Sequence, residues 1–292
     1  MTDVLPRSIA RPQPTVVNWR SIATRTFLYA VIAIGALIFT LPFLWMISTS
    51  VKPGPEVYVI PPRWIPSSFN WSNYVEPWRN LPFLTFYKNT MIVTGVSIVA
   101  TLISSSLVAF GFARVRFRGR GFLFTLVIST LMLPPQVTLV PLYLLFTKFG
   151  MINTLWPLIV PSFFGHAFSI FLLRQYMMTI PHEMDDAARI DGCGWFDIYW
   201  RIVLPLSKPA LGVVAIFSFQ AHWSDFFNPL IYLNTSDQFT VPLGLALLNS
   251  RYATAVQQTM AMTLISVIPM VLVFVIAQKK FIQGLTITGV KG

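Results

Sequence analysis

Apolar residues run along this chain in long blocks, best measured as the gaps between charges. Five gaps hold no Asp, Glu, Lys or Arg: Thr26–Val51, Asn89–Ala113, Gly121–Thr147, Phe149–Leu173 and Tyr252–Gln278. A sixth block, Pro209–Ser236, is interrupted once, by Asp225. A helix crossing the hydrocarbon core needs on the order of 20 apolar residues, so every gap is long enough. Backbone polar groups in lipid must be satisfied within the segment or in a closed barrel, and these blocks lack the alternation of barrel strands. The pattern predicts an all-α, polytopic membrane protein with six transmembrane helices.

Composition agrees. Of 292 residues, 55% are hydrophobic and 11% charged, where soluble domains carry about 25% charged residues. The net charge of +11 would suggest nucleic acid in a soluble protein. Here it reads as the inside-facing bias of Lys and Arg and as attraction to anionic lipid, and nucleic-acid binding is rejected. Arg7, Arg11, Arg20 and Arg25, the link with Arg114, Arg116, Arg118 and Arg120, and Lys279, Lys280 and Lys291 place both termini in the cytoplasm. Lys52, Arg63, Arg79 and Lys88 run against this count in the first link. The lone Cys193 excludes an internal disulfide, and the first 25 residues lack the apolar stretch of a signal peptide.

These features divide the chain into a cytoplasmic tail (1–25), a transmembrane domain (26–281) and a C-terminal cytoplasmic tail (282–292). Residues before Val16 should be disordered, because Pro6, Pro12 and Pro14 supply no amide donors. The outer segment 52–88, rich in Pro and Trp, should form an extended loop at the interface. Pro134, Pro135 and Pro141 fall inside the third block and should kink or break it. Broken helices tend to line a pathway, though any one proline is explained as well by packing.

The segment 179–205 has a different character. Pro181 suits a helix start, and Glu183, Asp185 and Asp186 put negative charge where the helix dipole favours it. Met184, Ala187 and Ala188, with Cys193, form a small apolar face, and Gly192 and Gly194 permit a sharp turn after Asp191. A second short helix then carries Phe196, Tyr199, Ile202 and Val203 on one side, and Pro205 ends or redirects it. Periodicity alone favours an amphipathic hairpin lying on the membrane surface.

The order of residues goes further. Glu183-Met184-Asp185-Asp186-Ala187-Ala188-Arg189-Ile190-Asp191-Gly192, ending at Ile202-Val203-Leu204-Pro205, resembles the cytoplasmic motif of ABC-importer permeases, E-A-A, then D-G, then I-x-L-P. Asp186 stands where that family usually has Glu, and Cys193 where it has Ala. Ala109–Arg114 with Phe117–Arg120, Met132–Pro134 with Pro141–Tyr143, Phe171–Tyr176 and the ending Gly284–Gly292 resemble the maltose-type carbohydrate permeases, in the six-span subunit. The resemblance implies the type I ABC importer permease fold with a cytoplasmic coupling-helix hairpin, in the cell inner membrane. It further implies a non-catalytic subunit working with a second homologous permease, a dimer of ATP-binding cassette ATPases and an extracytoplasmic solute-binding protein that delivers a sugar. Glu183, Asp185, Asp186, Ala187, Ala188, Asp191, Gly192, Leu204 and Pro205 would couple to the ATPase. The chain contains no G-x-x-x-x-G-K-[ST] phosphate loop, so ATP and Mg are expected on the partner and no cofactor on this chain.

Within the sixth block, Asp225 is an intramembrane acid and therefore a functional candidate. A sugar contact, an outer gate or subunit contact, and a carboxylate at the outer interface all fit. Trp223 and Asn228 join it as candidates for the pathway or gate. A lone His166 more often hydrogen-bonds a neighbouring helix than binds metal. Two other functions remain. An ion-coupled secondary transporter should show several buried ionisable residues, and an importer permease for a non-sugar solute would carry the same hairpin.

Overall fold

In the computed structural model the backbone is described for residues 19–251 and 255–289, and side chains for 24–251 and 255–278. Every regular element among the described residues is helical. Four stretches are long and apolar enough to cross a membrane: Thr24–Ser50, Phe83–Arg114, Trp156–Met177 and Val256–Gln278. Two bent pairs raise the number to six. Arg120–Met132 meets Pro135–Lys148 at 97°, and Trp195–Leu206 meets Lys208–Trp223 at 76°.

The first bend falls at Pro134–Pro135, as the missing amide donors dictate. Pro141, expected to act likewise, lies inside the continuous helix Pro135–Lys148. Helix ends also differ from the charge gaps. The first helix begins at Trp19, inside the tail expected over 1–25, and the last runs from Val256 to Gly289, through most of the tail expected over 282–292. Apolar gaps mark what lies in hydrocarbon, whereas a helix continues into the headgroup region wherever its hydrogen bonds can. The expected disorder before Val16 and the basic residues Arg7, Arg11 and Lys291 lie outside the described residues. So do the side chains of Arg20, Lys279 and Lys280.

Phe83–Arg114, 32 residues long, is the packing axis of the region from Ser48 onward. Thr90, Thr94, Ser97, Thr101 and Ser105 recur three or four positions apart and are all buried. Small side chains let neighbouring helices approach closely in lipid, where apolar burial gives little preference for one partner over another. Ala167–Met177 and Lys208–Trp223 pack along this axis. At its other end Gly244 sits so close to Phe86 that an added Cβ would fall on the aromatic ring.

The segment 52–88 is not extended. It folds into short turns at Gly54–Tyr58 and Trp71–Tyr74 and a helix at Glu76–Asn80, and the second span already begins at Phe83. Buried Asn73 holds the segment by donating from Nδ2 to the carbonyls of Ser50 and Lys52, both at 2.9 Å. The Glu56 carboxylate accepts from the Ser67 N–H at 3.1 Å and the Ser67 hydroxyl at 2.9 Å. The backbone bond, ahead of the hydroxyl bond, holds Glu56 below the usual carboxylate range.

Candidate functional site: a clamped hairpin and a cavity at three helix breaks

The segment 179–205 forms a helix, a glycine turn and a second helix. Glu183–Ile190 carries all three acids in its first turn. It stops because Gly192 takes φ +83°, a conformation that costs a residue with a Cβ about 1–2 kcal/mol. The Gly192 N–H then donates to Arg189 O at 3.0 Å and the Cys193 N–H to Ala188 O at 2.9 Å. This paired closure is a Schellman motif, with Cys193 and Ala188 in the same apolar cluster.

One side of the helix is anchored by charge. Arg114, the last residue of Phe83–Arg114, has a fully buried side chain, and its guanidinium lies 3.2 Å from Asp185 Oδ2. The same guanidinium donates to Ile180 O at 2.8 Å and meets His182 Nδ1 at 2.9 Å. A buried ion pair tolerates its desolvation only with such additional bonds. It therefore ties the hairpin to the end of the second span at a defined point.

That tie changes the face expected for the helix. Asp185 and Ala188 are the buried residues, whereas Met184 and Ala187 are exposed, because pairing with Arg114 turns Asp185 inward. Glu183, Asp186, Ala187, Asp191 and Gly192 all remain at the surface. Of the residues expected to couple, Asp185 and Ala188 are thus built into the subunit, and these five stay available to a partner.

The second helix spans Trp195–Leu206 with a π turn over Ile198–Val203. The wider turn shifts the register. Ile198, Tyr199 and Val203 are buried and Ile202 is half-buried, but Phe196, expected on the same side, is exposed and stacks on Trp200. Tyr199 shares a 2.8 Å hydrogen bond with Ser106 and packs against Phe110. The Arg189 guanidinium lies 3.9 Å over the Trp195 ring and joins the two helices of the hairpin. Leu204 is half-buried and Pro205 exposed, just before the bend into Lys208–Trp223.

The second locus is a cavity of about 460 Å³ bordered by Gln136, Thr138, Ser162, His222, Asp225 and Asn228. Asp225 Oδ1 accepts the Asn228 N–H at 3.2 Å, in the first turn of the short helix Phe227–Tyr232, and Oδ2 accepts from Asn228 Nδ2 at 2.8 Å. Trp223 does not border the cavity. It is buried, stacks on Phe219 and donates from Nε1 to Ser266 O at 3.0 Å. The fold brings His166 and His222, from two different sequence blocks, to the same cavity. Arg114 stands in the sequence as one of four inside-facing cations and as the end of the family-like stretch Ala109–Arg114, and neither reading points to Asp185. Gln136, Thr138 and Ser162 carried no signal at all.

Residues 101–287 match the family described as binding-protein-dependent transport system inner membrane component. A putative ABC transporter permease protein of Caldicellulosiruptor is 35% identical over 275 residues, covering 92% of this chain and 98% of the relative. An arabinooligosaccharides transport system permease protein of Halalkalibacterium halodurans is 35% identical, covering 88% and 93%. A melibiose/raffinose/stachyose import permease protein of Bacillus subtilis is 32% identical, covering 94% and 98%. The fold is similar to a chain in the crystal structure of a bacterial ABC transporter involved in the import of the acidic polysaccharide alginate. The TM-score is 0.78 at 23% identity, covering 91% of this chain and 99% of that one.

Proposed function

Since the chain belongs to the family of binding-protein-dependent transport system inner membrane components, we propose that it forms half of the translocation pathway of an ATP-driven importer for a sugar or oligosaccharide. A second permease completes the pathway, an extracytoplasmic binding protein delivers the cargo, and a separate pair of ATPase chains holds ATP and Mg. Both termini and the hairpin face the cytoplasm, and the chain itself carries no cofactor.

The observation that carries the reading is the hairpin. A short helix with exposed acids and small residues, stopped by a Schellman turn and clamped from behind, is built to sit in a groove and pass on its displacement. Exposed Glu183, Asp186 and Asp191 suit cations on the ATPase, while Ala187 and Gly192 allow close approach. Motion of the ATPase then reaches the second span through Asp185 and Arg114, and the bend at Leu206–Lys208 through Tyr199 and Val203. Sugar as cargo is supported by the relatives named for arabinooligosaccharide and for melibiose, raffinose and stachyose transport. An alginate importer of similar fold, at TM-score 0.62, has been crystallised with a pentasaccharide-bound periplasmic protein.

Expression of the tagged chain with its genomic neighbours, followed by purification in mild detergent, tests the reading. A phosphate-loop ATPase and a second permease should co-elute and, in proteoliposomes with the binding protein, take up an oligosaccharide. A stable homo-oligomer free of any ATPase would overturn it and favour the ion-coupled alternative.

A further inference from the structure

Three interruptions of the spans meet at one place. Pro135 opens the helix that follows the 97° bend, His166 precedes Ala167–Met177 just after Gly165, and Asp225 stands in the break between Lys208–Trp223 and Phe227–Tyr232. All three border the 460 Å³ cavity. Non-helical backbone at membrane depth is tolerated only where it is buried in protein or lines a water-filled space.

Hydrogen bonds to the packing axis set the depth of that space. Ser104 Oγ donates to Ser162 O at 3.0 Å and the His166 N–H donates to Ser105 Oγ at 3.2 Å. Ser104 and Ser105 lie about ten residues, hence roughly 15 Å, from Arg114 at the hairpin end of the axis. That is about half of a hydrocarbon core of roughly 30 Å.

The chemistry of the wall limits the occupant. Its volume falls in the range of about 300–1,000 Å³ typical of small-molecule sites. Most of the wall is apolar, from Leu139, Leu142, Phe146 and Leu158 with several prolines; hydroxyls, amides, imidazoles and the Asp225 carboxylate are set into it, and no Lys or Arg lines it among the described residues. Asn228 takes one acceptor position on each Asp225 oxygen and leaves further lone pairs for hydroxyl donors. An anionic cargo would find no cation here and would face a carboxylate. The exposed Phe227 ring offers an apolar face of the kind that stacks on the C–H side of a pyranose.

We infer that this cavity is a cargo subsite on this subunit for neutral oligosaccharides and that Asp225 makes it reject uronate sugars. The inference rests on the proposed importer function and adds to it the charge class of the cargo and the residues that select it. Asp225 accepts sugar hydroxyls, Gln136 and Asn228 supply paired donors and acceptors, and Thr138 stands at the wall.

Cysteine protection in the assembled importer tests it. Thr138 is exposed, and its hydroxyl bonds only within its own turn, to Pro135 O. Thr138→Cys in a Cys193→Ser background should therefore assemble, and Leu139→Cys is a second position on the cavity wall should it fail. N-ethylmaleimide labelling is followed in the resting and the nucleotide-trapped complex, with a neutral trisaccharide or a uronate trisaccharide. The neutral sugar should slow labelling about threefold at twice its dissociation constant, where one third of sites are free, and the uronate should not. Adding Asp225→Asn should let the uronate protect as well. Equal rates with every sugar in both states, in a complex that still takes up neutral sugar, would overturn the subsite and leave the importer standing. Equal protection by both sugars in the parent variant would overturn the selectivity. Absence of uptake for any oligosaccharide would remove the importer reading and the inference with it.

Discussion

The hairpin and the cavity are built in opposite ways. The hairpin is one contiguous stretch, closed by its own Schellman turn and held by a single buried ion pair to Arg114. The cavity gathers residues from helices far apart in the chain, at the positions where those helices stop. Under the proposed function the hairpin is a lever that must not deform, and local hydrogen bonds plus one desolvated charge pair give it rigidity with few residues, while the cavity is a passage. A passage must expose backbone and polar side chains inside lipid, which broken helices can do without leaving peptide groups unpaired.

The comparison fails soonest at Arg114. Arg114→Ala leaves Asp185 buried without its cation, and removing one partner of a buried pair costs about 3–5 kcal/mol. The purified complex should lose thermal stability and most of its uptake, while charge exchange with Asp185→Arg in Arg114→Asp should recover part of both. Melting temperatures of Arg114→Ala and Asp185→Ala equal to the parent's would mean that this pair does not clamp the hairpin.

Gly192→Ala comes next. The positive φ costs a Cβ residue about 1–2 kcal/mol, too little to prevent assembly but placed where the helix must stop. Binding-protein-stimulated ATP hydrolysis and uptake should uncouple. Gly192→Asn should be milder and Gly192→Trp more severe, and full uptake with Gly192→Trp would remove the hairpin from the mechanism.

Trp223→Phe should matter less and sharpen the boundary of the cavity. It deletes the hydrogen bond to Ser266 O, worth about 0.5–1.5 kcal/mol, and trims the buried indole to a phenyl ring, so that some packing is lost with it. Cargo preference should stay constant. A changed preference would extend the pathway to Trp223.

The smallest effect is expected in the segment 52–88, which lines neither locus among the described residues. Ser67 holds the Glu56 carboxyl below its ordinary range, so the contribution to order is present above the unfolded carboxylate pKa. It is lost as pH falls through the lowered folded value. Amide protection factors across residues 54–67, taken relative to the intrinsic exchange rate at each pH, should fall at acid pH in the parent, and much less in Glu56→Gln. Identical acid responses in the two proteins would remove Glu56 as the cause.

How much was legible follows from how local each feature is. The spans were readable because lipid demands apolar length, and the hairpin because its acids, glycines and prolines act within a few residues of themselves. The bend at Pro134–Pro135 was readable too, since proline acts on its own helix. Pro141 broke nothing, because a helix in lipid can absorb a missing donor when its neighbours compensate. Phe196 left the expected face because a π turn moved the register. The buried side of Glu183–Ile190 was misread because a carboxylate counted as polar until Arg114 made it part of the interior.

The sequence by itself determined that this is a helical membrane protein with a helix–turn–helix segment over 179–205, because hydrophobic length and turn chemistry act over short range. Only the tertiary structure decided that Arg114 clamps that segment and that Gln136, Ser162, His222 and Asp225 share one cavity. Those meetings depend on which helix breaks come to lie against the Phe83–Arg114 axis, and packing between distant segments leaves no periodic mark in the chain.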